Sequence, residues 1–173
     1  MRGTTLITDF ARIDVSSGMI DISDPSYEDG EGRSIRNLKV KPGEYVAGNC
    51  VFRVIGSREK YVVKLILTHF DFMDGLYLGD QQNWEKIGVC TVDCGSMAIC
   101  ESSMPDMDEP MWIKFCTKIE GPVKRLGTVA KVGKKPIVVC EACFGDGCYD
   151  VYAAKKDGEI VAVEVRFAET TKA

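Results

Sequence analysis

Asp157-Gly158 divides residues 148–167 into two runs of β-prone side chains, CYDVYAAKK and EIVAVEVRF. That dipeptide suits a two-residue type I′ turn, which needs positive φ at both central positions and matches the twist of antiparallel strands. It commits this part of the chain to a hairpin. A two-residue turn also sets a register: Lys156 opposite Glu159, Ala154 opposite Val161, Tyr152 opposite Val163, Asp150 opposite Val165 and Cys148 opposite Phe167. The expected core face is then Cys148, Tyr152, Ala154, Val161, Val163, Val165 and Phe167, with Asp150 as its charged member. Tyr149, Val151, Ile160, Glu164 and Arg166 take the other face, with Tyr149 and Arg166 placed as a cation–π pair.

The rest of the chain reads the same way. YVVKLIL (61–67) sets Tyr61, Val63, Leu65 and Leu67 on one face and Val62, Lys64 and Ile66 on the other, the pattern of a central strand. In YVAGNCVFRVI (45–55), introduced by the Pro42-Gly43 turn, Val46, Cys50, Phe52 and Val54 face one way and Asn49 and Arg53 the other. KIGVCTVDC (86–94), MAIC (97–100), GTVAKV (127–132) and PIVVCEAC (136–143) add further strands. Segments 25–34, 72–83 and 102–110, rich in Gly, Pro or Asp, interrupt them. No stretch of about twelve residues holds a 3.6-residue period, and MWIKFCTKI (111–119) fits a weak strand or a helical turn equally. These signals predict an all-β fold, an antiparallel β-sandwich with few or no helices, as a single β domain over 1–173.

Composition narrows the function classes. At 173 residues, 45% hydrophobic and 28% charged, the chain can bury a sizeable core. A net charge of -4 and a pI near 5.1 argue against a nucleic-acid partner, which needs a surplus of Lys and Arg. There is no apolar run near the roughly 20 residues of a membrane span, and MRGTTLITDFARIDV lacks a signal-peptide core. The expectation is a cytoplasmic protein with no membrane partner.

In a reducing compartment the eight cysteines read as small hydrophobes rather than as a disulfide framework. Cys140 and Cys143 have zinc-knuckle spacing, but a closed site needs four ligands. Cys90 and Cys94, on one strand face, are about 13 Å apart by strand rise and cannot share a metal without a turn between them. The single histidine, His69, ends a core strand and supplies no second half. No helix follows Cys143, so a thioredoxin-like motif does not fit. No metal and no cofactor are expected.

VDCG at 92–95, CFGDGCYDVY at 143–152 and the closing GEIVAVEVRF resemble a mainly bacterial domain-of-unknown-function family, the one numbered four-two-four-one. The resemblance covers the second half of the chain. The family typically shows V-D-S-G and then G-D-G-x-Y before a terminal hairpin, so Cys94 stands where it has Ser. The resemblance implies a β-rich domain and brings no activity, substrate or cofactor.

The remaining chemistry is acidic. Asp93 and Asp146 sit in turns at strand ends, where an Asp can bond its own following amides. Together with Asp150 they form a carboxylate rim if the two loops meet, able to hold a hard cation or to act as acid and base. FARIDVSSGMIDIS, closing at Ser17-Gly18, predicts a hairpin with Val15 opposite Ile20, Ile13 opposite Ile22, and Asp14 opposite Asp21. That like-charge pair calls for a cation or a partner's Lys or Arg, or is a solvated acidic face. Residues 9–31 are acidic and 114–135 basic, a pattern suited to association with another chain. With His69 alone available, a Cys–His or Ser–His–Asp scheme has little support, and no catalytic residue is assigned. The sequence thus predicts a small non-catalytic binding or interaction domain with a protein partner, its contact surfaces the acidic N-terminal hairpin with Asp14 and Asp21 and the loop rim around Asp93 and Asp146. Its alternative is a cation-binding module or cation-dependent hydrolase using the carboxylate rim.

Overall fold

The computed structural model describes residues 3–25, 33–73, 84–102, 114, 117, 127–132 and 135–168. Their strands are β1 (Gly3–Val15), β2 (Met19–Ser23), β3 (Ile35–Lys39), β4 (Gly43–Val54), β5 (Lys60–His69), β6 (Glu85–Val92), β7 (Ser96–Glu101), β8 (Thr128–Val132), β9 (Lys135–Glu141), β10 (Gly147–Lys156) and β11 (Glu159–Arg166). They form two antiparallel sheets, one of six strands in the order β1-β4-β5-β11-β10-β6 and one of five in the order β3-β2-β7-β9-β8. The sheets pack together, β8 near β1 at one side and β2 and β3 near β6 at the other. The all-β antiparallel sandwich expected from the strand pattern is the fold of this chain. Of the ambiguous segment 111–119, Lys114 and Thr117 alone are described, both with helical backbone, and most of the three interrupting segments lies outside the described residues.

The Asp157-Gly158 turn forms with φ of 51° and 83°, and Lys156 pairs with Glu159 as the dipeptide dictates. The register then slips. Lys155 pairs with Ile160 but Ala154 with Ala162, leaving Val161 as an extra residue. A bulge of this kind moves every later side chain by one position. Tyr152 therefore lies opposite Glu164 and Val151 opposite Val165, so Val151 and Ala153 enter the core in place of Tyr152 and Ala154, while Val163, Val165 and Phe167 lie there as expected and Cys148 is exposed. Tyr149 joins them and meets Phe167 edge-on at 5.1 Å. Arg166 stacks 3.6 Å from the centre of Tyr152, not over Tyr149.

Two further strands place different faces inward from those their alternation suggests. In β4 the core side chains are Tyr45, Ala47 and Val51, while Val46 and Cys50 are buried on the other face. Asn49 broke the sequence pattern because it sits on the inward side, fully buried. Gly127 makes room there: a Cβ on it would lie 2.5 Å from the Phe10 ring and 2.7 Å from Asn49 Nδ2. In β5 a bulge at Val63 puts Val62, Leu65 and Leu67 in the core, a spacing simple alternation cannot give.

The N-terminal hairpin is absent. β1 pairs with β4 in one sheet, and β2 pairs with β3 and β7 in the other. The Ser16–Gly18 turn, closed by Gly18 N–H donating to Val15 O at 3.1 Å, carries the chain across the sandwich. Ile13, Val15, Ile20 and Ile22 all reach the core as their pattern requires, but from opposite layers. Periodicity identifies the buried face; it does not say whether two such faces lie side by side or meet head on.

Candidate functional site

The β6–β7 and β9–β10 turns adjoin at one end of the sandwich. Ala142 N–H donates to Gly95 O at 2.9 Å, Gly147 pairs with Val92, and Tyr149 OH donates to Gly145 O at 2.7 Å. Asp93 and Asp146 thus occupy neighbouring turns, and both are exposed. Asp150 lies elsewhere, along β10, bonded to Lys86 at 2.7 Å. That bond raises the Lys86 ammonium above its ordinary pKa. Among the described residues no three His, Cys, Asp or Glu side chains come together as a metal-holding group.

The residue that builds this end is Asp24, at the close of β2. It is buried, and its Oδ2 accepts from the backbone N–H of Asp93 at 2.7 Å and of Cys94 at 2.9 Å. Its Oδ1 accepts from the Cys94 thiol at 2.9 Å. A buried carboxylate satisfied by donors of this kind fixes a turn firmly. No local sequence signal marks Asp24, because its partners are 69 and 70 residues away.

Asp14 and Asp21 part company with the failed hairpin. Asp14 is exposed on β1, opposite Glu44 of β4. Asp21 is buried on β2, where Oδ1 accepts from Asn37 N–H at 2.7 Å and Ser102 Oγ at 2.6 Å, with Arg36 Nη1 3.5 Å from Oδ2. Asn37 has a positive φ of 51°, and the Asp21 carboxylate holds its amide in the β2–β3 irregularity.

Of the eight cysteines, the seven that are described are free thiols. Cys90 and Cys140 are packed into the core, and Cys143 lies against it. Burial pushes the Cys90 thiol to about 11 and Cys100 to about 12, and raises Cys140 further. Burial likewise moves Cys143 to about 11. Thiols held protonated in this way are poor nucleophiles and poor metal ligands. His69 is also occupied. Its Nε2 lies 3.1 Å from Pro42 O, its Nδ1 accepts from Asp71 N–H at 3.3 Å, and its ring meets Tyr45 edge-on at 5.1 Å.

A second feature has no sequence signal. Glu164 is 2% exposed on the face of β11 that points away from the other sheet. It bonds Lys64 at 3.1 Å and Arg166, whose guanidinium carries Tyr152. The two cations come from neighbouring strands in register, Arg166 opposite Lys64.

A concave surface lies at the opposite edge of the six-stranded sheet. A bulge at Phe10 interrupts β1, and the Phe70–Phe72 turn of 3-10 helix folds against β4 beside it. Between them is an open cavity of about 690 Å³, lined by Phe10, Val46, Phe70 and Met73 and by Asp9, Arg12 and Asp71. Arg12 bonds Glu44 at 3.0 Å and lies 4.6 Å over the Phe70 ring. Gly43 leaves room for the His69 ring that precedes this turn, since a Cβ there would lie 2.5 Å from His69 Nε2.

No protein-family model, curated protein or solved structure matches this chain. Among the described residues no helix is long and apolar enough to cross a membrane.

Proposed function

We propose that this chain is a non-catalytic binding domain whose contact surface is the groove between β1 and the Phe70–Phe72 turn. The observation that carries this reading is the open depression of about 690 Å³, lined by Phe10, Val46, Phe70 and Met73 together with Asp9, Arg12 and Asp71. An open lining that mixes apolar and charged side chains suits a surface contact in which one apolar group docks beside polar ones. Its ligand is a protein partner presenting an apolar side chain beside a charged one. Phe70 is 45% exposed and forms the open wall. The cytoplasm is the setting of this reading, in keeping with the seven free thiols. The VDCG and GDGCYDVY resemblance belongs to the same proposal and adds no activity.

Chemical-shift mapping of the labelled protein against a pool of short peptides, each pairing one aromatic or aliphatic residue with one charged residue, tests the reading. Expected hits move the amides of Phe10, Arg12, Phe70 and Asp71 and weaken in Phe70→Ala. Hits confined to other surfaces, or insensitive to Phe70→Ala, refute the groove as the contact surface.

The cation-binding or hydrolase alternative rests on Asp93 and Asp146 sharing one end of the sandwich. It loses Asp150, which is bonded to Lys86 on the sheet. Calcium or manganese titration shifting residues 93–95 and 145–147 in the same spectra would favour it over the groove.

A further inference from the structure

Strand register fixes which face of the six-stranded sheet each charge near the groove occupies. In β4, Tyr45 and Ala47 point into the core, so Glu44, Val46 and Gly48 take the face away from it. Asp14 pairs with Glu44, Arg12 with Val46 and Asp9 with Gly48. Asp9, Arg12, Asp14 and Glu44 therefore share one face, and Val46 places the groove on it. Asp71 reaches the same lining from the Phe70–Phe72 turn.

Among the described residues, this end of the face carries exposed Asp9, Asp14, Glu44 and Asp71 against Arg12, which is already bonded to Glu44 at 3.0 Å. His69 Nδ1 lies 3.7 Å from Asp71 Oδ2, but that nitrogen accepts from Asp71 N–H and so holds no proton to neutralise the carboxylate. Farther along the face, Lys64 and Arg166 are bonded to Glu164. Lys41 and Lys156 lie over the Phe72 ring, which is not part of the lining, and Lys41 is bonded to Glu159.

The groove thus joins apolar side chains to a negative field. Long basic side chains match that combination, since they bury an alkyl stem on apolar surface and keep the charged head among polar groups. The Phe70 ring already takes a guanidinium at 4.6 Å, that of Arg12. A carboxylate brought to the same lining would meet like charge.

We propose that the groove takes an arginine or lysine side chain of another protein, its stem along Phe10, Phe70 and Met73 and its cation at Asp9 and Asp71. This rests on the groove reading above and adds the sign of the partner's charge. The surrounding carboxylates favour encounter with basic segments and disfavour acidic ones.

Amide chemical-shift titration of the labelled full chain with capped Gly-Ser-Arg-Leu-Ser-Gly, up to about 10 mM, tests it. Two control peptides replace the arginine by citrulline, which keeps its shape without its charge, or by glutamate. The arginine peptide is expected to move Phe10, Arg12, Phe70 and Asp71 and to bind about tenfold more tightly than either control. Raising salt from about 20 to 300 mM should weaken it. Asp9→Lys with Asp71→Lys, both at exposed positions, should reverse the order of the arginine and glutamate peptides. Citrulline or glutamate peptides that bind the groove as well as the arginine one overturn this inference and leave the groove reading standing. So does an order of affinities that the double variant does not change. If no peptide moves the four amides, or all act on other surfaces, both the groove reading and this inference fall.

Discussion

The Asp24 carboxylate grips Cys94 from both oxygens: Oδ2 accepts from its backbone N–H and Oδ1 from its thiol, each at 2.9 Å. Through this residue the end of β2 in one sheet fixes the turn that leads from β6 of the other sheet back to β7. The contact accounts for two of the singled-out positions in the same turn. Asp93 lends only its backbone N–H to the bond, and its side chain stays in solvent.

Replacing the two acids should therefore have opposite consequences. Asp24→Ala leaves two amides and a thiol without their acceptor and should cost about 3 kcal/mol, since each lost bond involved a charge. Asp93→Ala should change stability by less than about 0.5 kcal/mol. Urea unfolding with m-values compared will measure both. Equal effects would mean that the Asp93 side chain, not its backbone, organises the turn.

Among the described residues, Glu164 is the carboxylate bonded to both Lys64 and Arg166 on the face away from the other sheet. Glu164→Gln leaves those two cations together and partly desolvated, and should destabilise the fold by about 3 kcal/mol. Glu164→Gln combined with Lys64→Met should recover part of that loss. Thermal unfolding of the single and double variants decides the point; a neutral single variant would show that water already neutralises the pair.

Gly43→Ala should be among the most damaging single-methyl additions. Its φ is 140°, and the new Cβ would meet His69 Nε2 at 2.5 Å. The expected loss is about 3 kcal/mol from strain and overpacking. In a His69→Ala background the same change should cost less, because the steric part disappears while the backbone part remains. A double-mutant cycle with no coupling would rule out the ring contact as the cause.

The thiols make stability fall in alkali. Burial raises Cys90 from an ordinary 9.0 to about 11 and Cys100 to about 12. The unfolded chain therefore releases these protons first, and the folded state binds more of them above about pH 9. Their contribution is complete below pH 9 and is lost progressively as pH rises toward 11–12. Denaturation midpoints from pH 7 to 11 should decline accordingly, and less steeply in a Cys90→Ala, Cys100→Ala variant. Mass mapping with iodoacetamide at pH 8 should label exposed Cys148 in the native protein and reach buried Cys90, Cys100 and Cys140 only on unfolding.

Much of the fold was legible from local chemistry. The Asp157-Gly158 dipeptide specifies its turn because few residues tolerate positive φ, and the wider alternation of Val, Ile, Tyr and Cys specifies strands and a buried side. The cysteines of the core were readable for the same reason, as small apolar volumes. What failed were relations between strands. A bulge at Val161 exchanged the faces expected of Tyr152 and Val151, and nothing in a run of valines and alanines marks which residue is the extra one.

By itself the sequence determined that this chain would be strands and turns with apolar faces to bury, since those properties belong to each residue and its nearest neighbours. Only the tertiary structure decided that β1 and β2 belong to different sheets rather than pairing side by side, which separated Asp14 from Asp21. It also brought Asp24 to Cys94 and opened the groove beside Phe10 and Phe70. Such pairings depend on which of many similar faces pack best once every backbone amide and buried charge is satisfied, a global condition that local periodicity does not carry.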